Sequence, residues 1–269
     1  MSIPTSQEIE RLIRRIAPAD LGSRPIYVCF ASMMPERFKP SKSVWGYHAN
    51  GLDLAMREWL IDSDRWRGRG PAVVINDTAM IADGQALAPD DAGFAAELAR
   101  ERIIATACHE SAHALSAKID FRPLPSEITD VVQVEASEKV AKWVAVDGQP
   151  TDEPPPWMGH ELQFIRVLTH VICRAERILC ERVWDSLAFA SRNYEVSRLG
   201  VYRRALQREI DSFDKSVTFA DLQACQPPAE FVERWKKDLH RWWSDSQSEH
   251  GVMAIAAAMR PYVHTARSK

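Results

Sequence analysis

One segment limits the possible folds more than any other: residues 89 to 119, PDDAGFAAELARERIIATACHESAHALSAKI. Asp90 or Asp91 supplies an N-cap with an acidic first turn. This is the clearest long helix in the chain. Within that stretch His109, Glu110 and His113 stand in the order H-E-x-x-H.

Residues four apart on a helix share a face, so His109 and His113 can present two imidazole nitrogens to one tetrahedral ion. Glu110 lies one step round, where its carboxylate can take a proton from a water on the ion as that water attacks a polarised carbonyl. Chance alone yields this pattern in about one chain in sixty of this length and composition. The neighbours Ser111, Ala112, Ala114 and Leu115 are small or uncharged, whereas a chance match on a solvated helix would carry charges there. The residue types and the spacing therefore point to a metal site. Cys108 falls off the metal face and is expected to be a small packed residue.

TACHESAHAL resembles the extended signature of zincin metallopeptidases, in which uncharged residues flank H-E-x-x-H. The resemblance implies a zinc-dependent peptidase: His109 and His113 bind Zn, and Glu110 is the catalytic base. It also implies a small sheet lying on the motif helix, whose edge strand holds an extended protein or peptide substrate. PAVVINDTAM is the candidate for that strand, with an ordinary core strand as the other reading. A third protein ligand is needed. His160, in PWMGHELQFIRVLTH, is similar in placement to the third histidine of the SprT-like branch, which begins a following helix and precedes an aromatic residue; Phe164 fits that aromatic. The gap from His113 to His160 is longer than in that branch, and residues 120 to 158 would be an insertion. The rival is Glu181 in CERVWDS, whose E-x-x-x-D pattern with Asp185 resembles the glutamate zincins.

The rest of the chain reads as follows. Residues 6 to 17 form a short amphipathic helix ending before Pro18, and Ile26 to Ala31 reads as a buried strand. SVWGYHANG is a second strand or an exposed hairpin arm. LDLAMREWLID is ambiguous between strand and helix. Val73 to Asn76 is a β-branched strand. Residues 120 to 158 hold six of the sixteen prolines and no sustained period, which marks a long connection. Helices resume after 158, and AEFVERWKKDLHRWWSD places Phe231, Trp235, Leu239 and Trp242 on one face. Short strands followed by a long helix and more helices predict an α+β fold: a small mixed sheet on the H-E-x-x-H helix, with a mainly helical C-terminal half. The expected division is 1–190 for the metallopeptidase-like domain and 191–269 for a helical extension.

Arg166, His170 and Arg174 recur at four-residue spacing, as a row that could orient a substrate carboxylate or stabilise an oxyanion, or as a polar groove lining or plain surface. Tyr194 and Tyr202 are further possible donors.

Net charge is −3 with a pI near 6.3, so no global basic field advertises nucleic acid, although local basic faces leave that open. Five unpatterned cysteines contain no C-x-x-C pair and suit a reducing cytoplasm. No apolar run approaches the length of a membrane span, and MSIPTSQEIERLIRRIAPAD lacks the core of a signal peptide. A second reading, of a different class, is an accessory protein, DNA-associated or phage-related, that keeps a zincin scaffold around a structural metal.

Overall fold

The computed structural model describes residues 2–17, 26–42, 44–49, 54–62, 72–116, 162–183, 199–213, 217–235 and 237. The expected connection at 120–158, His160, Asp185, Tyr194, Leu239 and Trp242 lie outside the described residues. The order of elements is α1 (Ser6–Ile16), β1 (Tyr27–Phe30), β2 (Gly46–Ala49), α2 (Leu54–Asp62), β3 (Ala72–Ile75), α3 (Asp77–Leu87), α4 (Ala92–Ser116), α5 (Leu162–Leu179), α6 (Leu199–Ser212) and α7 (Phe219–Ala224). The fold is α+β, with a three-stranded sheet and mostly helix elsewhere among the described residues. None of the described helices is long and apolar enough to cross a membrane.

Local chemistry accounts for the helix starts. A capping box between Thr5 and Glu8 begins α1: the Thr5 hydroxyl accepts from the Glu8 amide, and the Glu8 carboxylate accepts from the Thr5 amide at 2.7 Å. Asp91 caps α4, its Oδ1 accepting from the Phe94 amide at 2.9 Å. A second capping box, Thr218 with Asp221, begins α7.

The sheet order is β1-β3-β2, with β1 parallel and β2 antiparallel to the central β3. This corrects one expectation. The Ala72–Ile75 strand, the candidate for an exposed substrate-binding edge, is flanked on both sides and buried at all four residues. A continuous β-branched run suits a strand covered on both faces. The edge beside the motif helix belongs to β2, in the SVWGYHANG segment.

Strand alternation sorts the sheet into two cores. Val28, Phe30, Val73 and Ile75 join the large cluster with Ile103, Ile104, Ala107 and Phe164. Cys29, Ala72 and Val74 turn the other way, to Met34, Leu60 and Trp59. Helix α4 lies on the first face and is also contacted by α1, α3 and α5. It is therefore buried almost all round from Arg102 to Ala112. Gly84 permits the approach of α3, since a Cβ there would stand 2.5 Å from the Ala95 carbonyl oxygen. The large core continues through Tyr202, Leu206, Ile210, Phe219 and Phe231, with Trp235 packed against it.

Candidate functional site

The site sits where β2 crosses α4. Gly46 lies directly against the helix: a Cβ in its place would be 2.6 Å from the Thr106 Cγ2, 3.0 Å from the Val74 carbonyl oxygen and 3.3 Å from the Glu110 Cγ. Only a residue without a side chain lets the strand come this close. Asn76 fixes the approach of β2. Its amide donates to the Trp45 carbonyl at 2.8 Å, and its Nδ2 donates to the carbonyls of Val44 at 2.8 Å and Ser41 at 3.1 Å. The Asn76 Oδ1 also accepts from the Ala79 amide at 3.3 Å, so the same side chain caps α3. Arg102 places its guanidinium 5.1 Å from the Trp45 ring centroid and pairs with Asp83. At the far end of α4, the Gln223 Nε2 donates to the carbonyls of Leu115 and Ser116, at 2.8 and 3.1 Å, and satisfies the helix C-terminus.

His109, Glu110 and His113 all lie on α4. The two imidazoles stand side by side, with ring centroids 5.0 Å apart. His109 and Glu110 are buried, and His113 is half-buried. Phe164, near the start of α5, touches both rings, at 5.0 Å from His109 and 4.1 Å from His113. His48 on β2 brings a third imidazole to the cluster, 5.1 Å from His113 and nearly parallel to it.

Burial pushes the Glu110 carboxyl up to about 8, and a hydrogen bond from the His48 main-chain amide acts in the opposite direction. Cys108 is buried as expected, its thiol pushed up to about 12 by that burial.

Two imidazoles at i, i+4 and a carboxyl held neutral by burial are donors of the right kind for a divalent ion, whose charge would offset the cost of ionising Glu110. Among the described residues, no group of three or more His, Cys, Asp or Glu is arranged to hold an ion as it stands.

Glu181, the rival third ligand, is otherwise engaged: both of its carboxylate oxygens accept from the Arg100 guanidinium. Arg100 stands nine residues before His109 on the same helix, about 13 Å along the axis.

The row Arg166, His170 and Arg174 does not line a groove. Arg166 is fully buried, and its Nε lies 2.9 Å from the Glu209 Oε1. Its Nη1 donates to the Cys225 carbonyl at 2.9 Å. The His170 Nε2 lies 2.8 Å from the same Glu209 oxygen. Arg174 donates to the carbonyls of Ile16 at 2.8 Å and Val217 at 2.7 Å, with its guanidinium over the Phe219 ring. These side chains tie α5 to α1, α6 and the segments around α7. Tyr202, the other possible donor, is buried in the core edge-on to Phe231.

Sequence reasoning passed over Gly46, His48, Asn76 and Arg102. A glycine and a histidine at i, i+2 in a short strand were the available signal for the first two, but their importance depends on which helix the strand crosses. No protein family, curated protein or solved structure matches this chain.

Proposed function

We propose that the chain is a zinc-dependent hydrolase of the zincin type that cleaves peptide bonds. The observation that carries this reading is the burial of Glu110 beside His109 and His113, directly beneath an edge strand. Zinc, when bound, supplies Lewis acidity, acidifying a water and polarising a carbonyl oxygen. His109 and His113 hold the ion. Glu110 accepts the water's proton and passes it to the leaving amine. The third ligand in this reading is His160: it precedes Phe164 by four residues, and Phe164 packs against both histidines. Strand β2, one of the two edges of the sheet among the described residues, offers backbone groups to an extended peptide. Five free cysteines accord with work in a reducing cytoplasm.

The test is hydrolysis of a mixed peptide library by zinc-loaded protein. Wild type is expected to cleave, and Glu110→Gln is expected to bind zinc while losing at least a hundredfold in rate, on the order of a missing general base. Zinc binding without cleavage of any peptide or protein substrate would instead favour the accessory protein with a structural metal.

A further inference from the structure

His48 meets the motif helix twice, once through its main chain and once through its ring, and strand pairing sets both contacts. Gly46 and His48 are two residues apart on β2, so their side chains face the same side of the sheet. Their partners across the ladder, Ile75 and Val73, both belong to the core that α4 covers. The Asn76 amide donates to the Trp45 carbonyl, which makes these two a hydrogen-bonded pair of the antiparallel ladder. Such pairs alternate, so the next is Tyr47 with Val74, and the main-chain groups of Gly46 and His48 turn outward, away from β3. On that outer side the Glu110 carboxyl accepts from the His48 amide, and the Glu110 Cγ lies beside Gly46.

The ring makes the second contact. It stacks on His113 with centroids 5.1 Å apart and planes 12° from parallel. Phe164 is also nearly parallel to His113, at 4.1 Å and 24°. A metal bond to an imidazole lies in the plane of the ring, along the nitrogen lone pair, so a neighbour that fixes the plane fixes where the bond can form. Stacked rings point their nitrogens side by side and not at one point, so His48 serves His113 as a support and not as a fellow ligand. We propose that His48 is a positioning residue for the zinc centre: its ring sets the plane of His113, and its main-chain amide holds the Glu110 carboxyl at the strand edge. One residue of the edge strand thereby aligns both a ligand and the base. This inference rests on the zinc reading and leaves its ligands unchanged.

The experiment uses the full chain without a histidine tag, stripped of metal. Zn²⁺ affinity is measured by competition with a chromophoric chelator for wild type, His48→Ala and His48→Phe. The alanine removes the stacked ring, the phenylalanine restores a flat ring without nitrogens, and both keep the main-chain amide. Melting in EDTA shows which variants fold. His48→Gln, whose planar carboxamide can also lie on an imidazole, stands in if the phenyl ring does not fit. The amide contact is read separately and without metal, by hydrogen exchange at the residue 48 amide in wild type, Glu110→Gln and Glu110→Ala. The glutamine keeps an oxygen acceptor and the alanine has none.

The inference expects His48→Ala to weaken Zn²⁺ by about 10–100-fold, the cost of losing a supporting contact, and His48→Phe to stay within about threefold of wild type. It also expects the residue 48 amide to exchange at least about tenfold faster in Glu110→Ala than in wild type or Glu110→Gln. Three results would overturn it and leave the zinc reading standing: His48→Ala that binds Zn²⁺ as wild type does, a folded His48→Phe as weak as His48→Ala, or an amide whose exchange is indifferent to residue 110. Wild type that binds no Zn²⁺ would remove the zinc reading and this inference together.

Discussion

Two buried polar regions sit on neighbouring helices and are built in opposite ways. On α5, Arg166, His170 and Arg174 are met by Glu209 and by the backbone carbonyls of Ile16, Val217 and Cys225. On α4, the contacts of His109, Glu110 and His113 among the described residues include the rings of Phe164 and His48 and the His48 main-chain amide. The first region settles its charges internally and binds the fold together. The second holds a carboxyl that burial keeps neutral near physiological pH, with imidazoles around it. A buried charge matched within the protein is a structural feature; a buried acid with no cation beside it among the described residues is a reason to look for one from outside.

The largest effect is expected where a matched charge loses its partner. Arg166→Met takes the guanidinium from the largely buried Glu209, leaving it the His170 ring, and should cost about 3–5 kcal/mol in chemical denaturation. Adding Glu209→Leu to it should recover part of the loss. A single variant within 1 kcal/mol of wild type, roughly the scale of an exposed pair, would erase the distinction between the regions.

The two regions should also respond to pH with opposite signs. Glu110 is raised from an ordinary 4.5 to about 8, so its contribution to metal-free stability is complete below about 4.5 and is lost as pH rises towards 8. Glu110→Gln should remove that loss, a gain of at most on the order of 5 kcal/mol above pH 8 in EDTA. His170 is lowered, first by burial and against the pull of Glu209. Glu209 is also lowered: burial raises it, but the hydrogen bonds and charges of His170 and Arg166 outweigh that. Both contribute stability that is present above their unfolded pKa values and is lost as pH falls. Stability measured against pH for Glu110→Gln and Glu209→Gln separates the slopes. Equal slopes of one sign in both variants would contradict the contrast.

A smaller effect tests how closely the strand rests on the helix. Gly46→Ala should cost about 1–3 kcal/mol, because its Cβ would meet the Thr106 Cγ2. Thr106→Ser, which deletes that methyl, should restore part of it. A neutral Gly46→Ala, checked by thermal melting, would mean that β2 does not press on α4 in this way. The smallest effect concerns the partly exposed Arg100–Glu181 pair: Arg100→Met should cost less than about 1 kcal/mol and leave metal content per chain unchanged. Metal lost with Glu181→Ala would return that carboxylate to the site.

What could be read from sequence was local. The first helix, expected over 6–17, spans Ser6–Ile16, and Asp91 caps α4 because both starts are written in adjacent residues. The strand or hairpin at SVWGYHANG is β2, and the ambiguous LDLAMREWLID segment is helical as α2. Helix α3 was missed: its cap, Asn76, reads as the end of a strand. Of the two readings of PAVVINDTAM, the core strand holds and the substrate edge does not, because β-branched residues mark burial on both faces more than they mark an edge. The row on α5 looked like a groove lining because Glu209, the residue that explains it, lies 43 residues from Arg166. His48 went unnoticed for the same reason: its meaning depends on pairing with Val73 and on a helix more than sixty residues later.

The central claim is that the H-E-x-x-H face of α4 holds an ion, and metal content per chain tests it most directly. Native mass spectrometry of untagged protein reconstituted with zinc should show one ion per chain in wild type and none in His109→Ala or His113→Ala, with both variants folded. Wild type that takes up no ion after reconstitution, or variants that keep theirs, would contradict the claim.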